Sequence, residues 1–233
     1  MWMLLLLGGI VLFDGLLLLS FWRQFRRHGD WGIAFFRRKN YSQNIQDAGT
    51  VLLMVLLPCQ AISVAVRSPS KYQLPTEDPL IELSRVLGAV LLFGGVLLCF
   101  VSQRNMGSTW RIGVVERAKL GLTTTGLYVY SRNPIFLGLL AAIAGYALLL
   151  PTELSLVLFI AACIGVRRQI AVEEKHLLST YGDVYRAYAQ SVGRFIPLIG
   201  KMRPVRSDAR GRHGAGESIS GLPDELARGR PPR

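Results

Sequence analysis

The chain has 233 residues, of which 51% are apolar and only 18% are charged, and its formal net charge is +12. A soluble domain usually carries about a quarter charged residues, and here the apolar residues are gathered into long runs. This composition excludes a water-soluble globule and a mainly disordered chain. Nucleic-acid binding is not expected, because the basic residues are not interleaved with a soluble recognition element. The sequence predicts a membrane protein.

The cysteines give no sign of a disulfide framework or a metal site. Cys59, Cys99 and Cys163 each lie inside an apolar run, with no CxxC or Cys/His spacing, and the three histidines are widely separated. We therefore expect three buried thiols that pack as small hydrophobic residues, and no bound metal.

Five apolar runs come close to the roughly 20 residues that a helix needs to span a bilayer. They predict an all-α, polytopic membrane fold with about five transmembrane helices, at residues 2–22, 51–66, 80–101, 135–150 and 154–166. The last two runs are short for full spans. Only Pro151, Thr152 and Glu153 separate them, which predicts a tight helical hairpin. The first run lacks a preceding basic region, so we expect it to be an uncleaved helix.

The distribution of basic residues predicts the orientation. Most Lys and Arg residues fall in 23–39, 102–134 and the sequence after residue 166, which share one side of the membrane if there are five spans. The positive-inside rule places these segments and the C-terminus in the cytoplasm. The basic surplus would then also attract anionic lipid in the bilayer.

Three regions are predicted along the chain. Residues 1–101 form an N-terminal three-helix membrane region, and 102–202 combine a cytoplasmic loop, the hairpin and a C-terminal helix. Residues 203–233 are rich in Arg, Gly, Ser and Pro with almost no aromatic residues, and such a tail is expected to be disordered. The tail favours a bacterial source, and hence the bacterial inner membrane.

The segment before the fourth run has the pattern of a helix start. In Ser131-Arg132-Asn133-Pro134, Asn suits the N-cap and Pro the first helical position. A helix N-terminus attracts anions, and Arg132 would strengthen that attraction. The alternative is a capped helix with an arginine that reaches to the membrane surface.

Small residues predict close packing within the hairpin. The fourth run has a small face and the fifth offers small partners: Gly138, Ala141, Ala142 and Gly145, then Ala161, Ala162 and Gly165. Small residues let membrane helices approach closely. Such packing would make Arg132 and Asn133 face the charged residues at the other end of the hairpin, which are Arg167, Arg168, Glu173 and Glu174.

The fifth helix is predicted to continue beyond the membrane, with Gly182 as a possible interruption. Steps of four and three place eight residues on one face: Arg167, Ala171, Glu174, Leu178, Tyr181, Tyr185, Tyr188 and Val192. Glu173 is rotated about 100° away. One interpretation is an amphipathic helix with tyrosines at headgroup level. The other is that the paired acids bind arginine side chains or a cationic ligand.

The ordered set RNPIFLG, apolar hairpin, EExxLxxxYGxxYxxY and VGRFIP resembles the isoprenylcysteine carboxyl methyltransferases, with phospholipid N-methyltransferases as more distant kin. The resemblance covers roughly residues 103–198. It implies a membrane enzyme that uses S-adenosylmethionine, held at the cytoplasmic face rather than in a Rossmann fold. The absence of a GxGxxG motif after a strand agrees with this.

The resemblance also assigns residues. The family's Arg-His-Pro-x-Tyr element falls on Arg132, Asn133, Pro134 and Phe136, its acidic pair on Glu173 and Glu174, and its basic residue before the final proline on Arg194. Asn stands where His is usual and Phe where Tyr is usual. An asparagine can still donate to an adenine or ribose edge, but it cannot supply a titrating imidazole.

The chemistry of these side chains suits S-adenosylmethionine. Glu173 or Glu174 could pair with its ammonium group and Arg132 with its carboxylate, while tyrosines could stack on the adenine or lie against the sulfonium. The predicted cofactor-binding set is Tyr128, Tyr130, Arg132, Asn133, Pro134, Glu173, Glu174, Tyr181 and Tyr185. The predicted catalytic set is Arg167, Glu174 and Arg194, with Arg167, Arg168 or Arg194 holding an acceptor carboxylate.

The expected acceptor is a lipid-like or prenylated carboxylate, or a small thiol or amine that reaches the same cavity. Two alternatives remain open from the sequence. One is an NADPH-dependent membrane reductase of the sterol reductase type, which would need a basic pocket for the 2′-phosphate. The other is a non-catalytic membrane protein, in which the charged residues form only a helix-end ion-pair cluster.

Overall fold

A computed structural model describes residues 1–29, 31, 41–67, 78–107, 122–197 and 199–203. Its helices are α1 (Trp2–His28), α2 (Tyr41–Arg67), α3 (Pro79–Met106), α4 (Pro134–Leu149) and α5 (Glu153–Ser191), with a short 3₁₀ turn at Gly126–Val129. The described residues confirm the predicted all-α fold class. Met1–Met202 form one compact unit. The predicted tail after Arg203 lies outside the described residues.

The helices have the length and composition of a membrane protein. Four of them, α1, α2, α3 and α5, are long and apolar enough to cross a bilayer, and α4 is a shorter apolar helix. The 16 residues of α4 extend about 24 Å, less than the roughly 30 Å hydrocarbon core. Large apolar side chains such as Leu4, Val90 and Ile164 lie exposed on the outside, where lipid would cover them. The chain is therefore an integral membrane protein with about five apolar helices.

The predicted hairpin between the last two helices is present. Thr152 is the N-cap of α5, and its side chain accepts a hydrogen bond from the backbone N–H of Ser155 at 3.1 Å. Gln60 of α2 donates to the hydroxyl groups of both residues, at 2.6 and 3.0 Å. The turn is thus fixed to a third helix.

The glycines on the small face of α4 pack against α3, so the prediction that this face serves to pack α4 against α5 is wrong for these glycines. Gly138 meets Gly95, and Gly145 meets Gly88; a Cβ built on Gly138 would lie 2.7 Å from the carbonyl oxygen of Gly95. The two glycines of each helix are seven positions apart, so the antiparallel helices meet at both contacts. Gly165 of α5 instead accepts a hydrogen bond from Gln46 of α2 at 2.8 Å.

The cysteines are all free, but only one is fully buried. Cys99 is buried, Cys163 is half-buried and Cys59 is exposed. The expectation of three buried thiols is wrong for Cys59, because a membrane helix is apolar on its outer face as well as on its packed face.

The chain after α5 folds back onto the start of α4. The backbone N–H of Arg132 donates to the carbonyl oxygen of Gly193 at 3.0 Å, and the N–H of Met202 donates to that of Ala189 at 2.9 Å. A Cβ built on Gly193 would collide with the carbonyl oxygen of Ile196. This position therefore requires glycine.

Gly182 interrupts α5, as the sequence suggested. Its φ of 53° lies in the left-handed region, which glycine adopts at little cost. Beyond this kink, Tyr185 and Ala189 are buried against the rest of the protein. The kink therefore separates the long apolar part of α5 from a short terminal segment that belongs to the site.

Candidate active site

Arg132 is held in place by three groups. It is only 6% exposed. Its Nη1 donates to the carbonyl oxygen of Ala189 at 2.8 Å, and its Nη2 donates to that of Gly200 at 2.9 Å. Nη2 also lies 3.0 Å from Oε1 of Glu174. Its Nε–H is buried without a hydrogen-bond partner in the described part of the chain. The side chain thus has a fixed position and one donor to spare.

Glu174 is clamped between two arginines. It is 5% exposed, and Arg194 also binds it, with Nη2 at 2.6 Å from Oε2 and Nε at 3.2 Å from Oε1. We call these three residues the Glu174 clamp. Removing one partner from a buried ion pair leaves an uncompensated charge, which is strongly destabilising. Because Glu174 lies in α5, Arg132 before α4 and Arg194 after α5, the clamp joins these three parts of the chain.

Asn133 and Pro134 begin α4, as predicted, but the asparagine side chain does not cap the helix. Its Nδ2 donates instead to the carbonyl oxygen of Arg194 at 3.1 Å. The folded-back chain places this carbonyl beside the start of α4, where it accepts the hydrogen bond from the side-chain amide of Asn133. The residue at position 133 is thus a second tether between α4 and the chain after α5.

A cavity of about 410 Å³ lies beside the Glu174 clamp and is lined by all five helices. Its size is within the range of small-molecule sites in proteins. One end, which we call the polar end, is lined by residues predicted for the site: Tyr128, Arg132, Asn133, Glu173, Glu174, Tyr181 and Tyr185. The other end, which we call the apolar end, is lined by residues further along the helices: Ile10, Leu57, Leu92, Val96, Ala142 and Tyr146. The cavity connects charged groups with the apolar interior.

Four tyrosines line the polar end: Tyr128, Tyr181, Tyr185 and Tyr188. The hydroxyl of Tyr188 donates to the carbonyl oxygen of Tyr128 at 2.7 Å, and the rings of Tyr185 and Tyr188 lie 6.1 Å apart. Burial raises the pKa of Tyr128 well above its ordinary value, and the negative charge of Glu173 adds to the rise. This phenol therefore stays neutral at physiological pH.

The two adjacent acids have different surroundings. Both oxygens of Glu174 are held by arginines, whereas Glu173 is half-buried and accepts a hydrogen bond from Gln169 at 3.2 Å. Both residues line the cavity. The contacts with Arg132 and Arg194 occupy both carboxylate oxygens of Glu174.

The structure does not bring Arg167 or Tyr130 to the cavity. Both residues are exposed, Tyr130 to 63%, and neither lines the cavity. The buried face of α5 runs through Val166, Ile170 and Glu174 in steps of four, so Arg167 lies about 100° around the helix from Val166. The apolar part of α5 determines which face is buried. The prediction included Arg167 in that face, but the structure places Arg167 outside it.

Two further predicted residues touch the site without lining the cavity. Pro134 is buried at the first position of α4, where it fixes the helix start. Arg194 reaches Glu174 from outside, and its side chain is 47% exposed. Both therefore act on the arrangement of the site rather than on the cavity surface.

Sequence reasoning missed a polar group on α2 that faces α5. Gln43 and Gln46 both donate to Oε1 of Gln169 at 3.2 Å, and Gln43 also donates to Asp47. Asp47, Gln46 and Gln169 line the cavity, as does Asp14 of α1. The signal was present, because polar residues inside otherwise apolar membrane helices usually face a cavity or another helix.

Comparison with known proteins finds similarity to methyltransferases. A family model described as phospholipid methyltransferase matches residues 83–184. The chain is 32% identical over 121 residues to the protein-S-isoprenylcysteine O-methyltransferase of Saccharomyces cerevisiae, a match that covers 51% of each chain. It is 35% identical over 79 residues to the protein of the same name from Schizosaccharomyces pombe, covering 34% of each. The chain thus matches about half or less of the length of these relatives.

The matches confirm the resemblance predicted from the residues, which is to membrane methyltransferases of the isoprenylcysteine type. The matched segment 83–184 contains Arg132, Glu173 and Glu174, together with most of α3, all of α4 and most of α5. Arg194, which completes the Glu174 clamp, lies beyond it.

Proposed function

We propose that this chain is an S-adenosylmethionine-dependent membrane methyltransferase whose acceptor carries a hydrophobic part, such as a lipid-like or prenylated carboxylate. A small thiol or amine that enters the same cavity is the alternative acceptor. The observation that carries the proposal is the position of the Arg132–Glu174 pair, at the polar end of a cavity that continues into the apolar interior. S-adenosylmethionine supplies a methyl group activated by a sulfonium.

The polar end suits the groups of S-adenosylmethionine. The spare Nε–H of Arg132 is a donor for the carboxylate, and Glu173 offers a negative charge for the ammonium. The tyrosines offer ring faces for the adenine and for the sulfonium, by stacking and cation–π attraction. Asn133 lines the same end and presents an amide edge. The residues present therefore fit this cofactor.

Within this proposal, Glu174 and Arg194 are positioning residues. Glu174 fixes the guanidinium of Arg132, and Arg194 fixes Glu174 from outside. This assignment differs from the catalytic roles expected for them from the sequence, and it leaves no role for the exposed Arg167. Glu173 and Arg132 are the charged residues that would touch the cofactor.

The chain's contribution to the reaction is orientation and the exclusion of water. Methyl transfer to a carboxylate or thiolate needs no general base, so a rigid site suffices. Good orientation of two reactants lowers a barrier by up to ~7–11 kcal/mol. The buried clamp and the neutral tyrosines provide such a site, in which water competes poorly for the cation.

We also propose that the polar end faces the cytoplasm. Among the described residues, basic side chains follow the apolar part of α1, end α3, precede α4 and follow the apolar part of α5; they include Arg23, Arg26, Arg27, Arg104, Arg132, Arg167 and Arg168. A soluble cofactor would then enter from the cytoplasm, and a lipid-like acceptor from the bilayer.

The direct test is equilibrium binding of labelled S-adenosylmethionine to the purified full chain, with NADPH as competitor. We expect binding that excess NADPH does not displace. Displacement by NADPH would favour the reductase alternative, which is disfavoured because Arg132 is the one arginine among the described lining residues. Absence of binding to the wild-type protein would exclude the methyltransferase. Membranes incubated with methyl-labelled cofactor then identify the acceptor, since mild base releases label from an ester.

A further inference from the structure

The apolar end of the cavity is closed by Tyr146. This residue lies on the fourth turn of α4, lines the cavity and is 2% exposed. Behind it are Leu6, Ala61 and Leu150, which are at most 1% exposed and do not line the cavity. The cavity therefore ends at the ring of Tyr146.

A hydrogen-bond network holds this ring in place. The Tyr146 hydroxyl donates to the carbonyl oxygen of Leu57 at 2.9 Å and lies 3.1 Å from Oε1 of Gln60. Gln60 in turn donates to Thr152 and Ser155 at the turn between α4 and α5. Three helices are thereby tied together behind the ring. The position of the cavity floor is fixed by these contacts rather than by the side-chain packing of one residue.

The distance from the polar end to this floor is limited. From Pro134 to Tyr146, twelve residues of α4 rise about 18 Å. A hydrophobic chain that starts at the polar end and runs into the apolar end meets the tyrosine ring after that length. Its further extension would need the ring to move, which would break the hydroxyl's bonds to Leu57 and Gln60.

We propose that Tyr146 is a specificity-determining residue that sets the greatest length of the acceptor's hydrophobic chain. This inference rests on the proposed function, because it requires the acceptor's chain to occupy the apolar end of the cavity. Ala162 of α5 lines the same cavity and is 2% exposed. A larger side chain there would shorten the available length, whereas a smaller one at position 146 would extend it.

The experiment uses N-acetyl-S-alkylcysteines with unbranched alkyl chains of increasing length, added to the full chain in detergent. Binding is measured as the rise in Tm, and methyl transfer is measured separately. For the wild type we expect the Tm shift to grow with chain length up to a limit and then to stop. Tyr146→Ala and Tyr146→Leu should move this limit to longer chains, and two added methylene groups should then improve binding by about tenfold. Ala162→Leu should move it to shorter chains.

Two control variants distinguish the effect of the Tyr146 ring on the length limit from the effects of its hydrogen bonds and of a general loss of stability. Tyr146→Phe keeps the ring but loses its hydrogen bonds to Leu57 and Gln60, so it should move the limit less than Tyr146→Ala does. Leu150→Ala removes a buried side chain that does not line the cavity, so it should lower Tm without moving the limit. An unchanged limit in the folded Tyr146 and Ala162 variants would overturn the proposal, as would absence of binding by the whole series. A length limit without any methyl transfer would instead overturn the proposed function.

Discussion

Arg132 and Glu174 form a buried ion pair at 3.0 Å that joins the segment before α4 to the middle of α5. Arg194 binds the same carboxylate. A single acidic side chain therefore holds together three segments of the polar end.

We predict that Arg132→Gln destabilises the protein by about 3 kcal/mol or more and abolishes binding of S-adenosylmethionine. The substitution removes one of the two arginines that bind Glu174 and leaves the carbonyl oxygens of Ala189 and Gly200 without their guanidinium donors. Unfolding in detergent, followed by circular dichroism, measures the loss.

The matched control for this change is Arg186→Gln. Arg186 pairs with Asp183 at 3.2 Å on the surface of the same helix, and both side chains are well exposed. An exposed pair contributes about 0–1 kcal/mol, so this variant should remain close to the wild type in both stability and binding. Equal losses in the two variants would show that the Glu174 clamp is no stronger than a surface pair.

The two adjacent acids should give opposite results. Glu173→Gln should weaken S-adenosylmethionine binding by about 10–100-fold, because it removes a charged partner of the ligand, and it should lower Tm less than Glu174→Gln does. Glu174→Gln should mainly lower Tm, because it leaves Arg132 and Arg194 without their carboxylate. Titration of labelled cofactor and thermal unfolding are measured on the same samples. The reverse pattern would assign the ligand contact to Glu174.

Gly193→Ala should disturb the site from a distance. The added methyl group would collide with the carbonyl oxygen of Ile196, so the chain that accepts the backbone hydrogen bond of Arg132 must shift. We expect a loss of about 1–3 kcal/mol, typical of forced overpacking, and weaker cofactor binding. Gly49→Ala in α2 is the control: open space surrounds it, and alanine is the better helix former. If Gly193→Ala changed neither stability nor cofactor binding, the chain after α5 would not fold back onto the start of α4 as described.

The contact between α3 and α4 can be tested with two neighbouring glycines. Gly95→Val should destabilise the protein by about 2 kcal/mol or more, because its Cβ would collide with the backbone of Ala142 and Gly138. Gly94→Val points into open space and should change stability by about 0.5 kcal/mol or less. Thermal unfolding of both variants in one detergent gives the comparison. If Gly94→Val were the more harmful change, the packed face of α3 would be wrongly assigned.

Several features could be predicted from sequence because they depend on neighbouring residues. The apolar runs predicted the helices, and Asn133-Pro134 marked the start of α4. The short Pro151–Glu153 segment predicted the hairpin. Spacing along the chain is enough for such features, since a helix and its ends are formed by local backbone contacts.

The choice of packing partner could not be predicted in the same way. Apolar residues in a bilayer gain little from burial, so hydropathy does not say which face of a helix meets a neighbour. The small face of α4 packs against α3, although its sequence pattern suggested packing against α5. Arg167 lies outside the buried face of α5, although the helical spacing had placed it on the same face as Glu174.

The amino-acid sequence by itself determined that the protein is helical, lies in the membrane and carries an arginine and paired acids near one end of a hairpin. Only the tertiary structure decided which acid is held by arginines, which tyrosines line the cavity and where that cavity ends. These properties depend on side chains from separate helices that meet in space, and no local pattern in the sequence specifies such meetings.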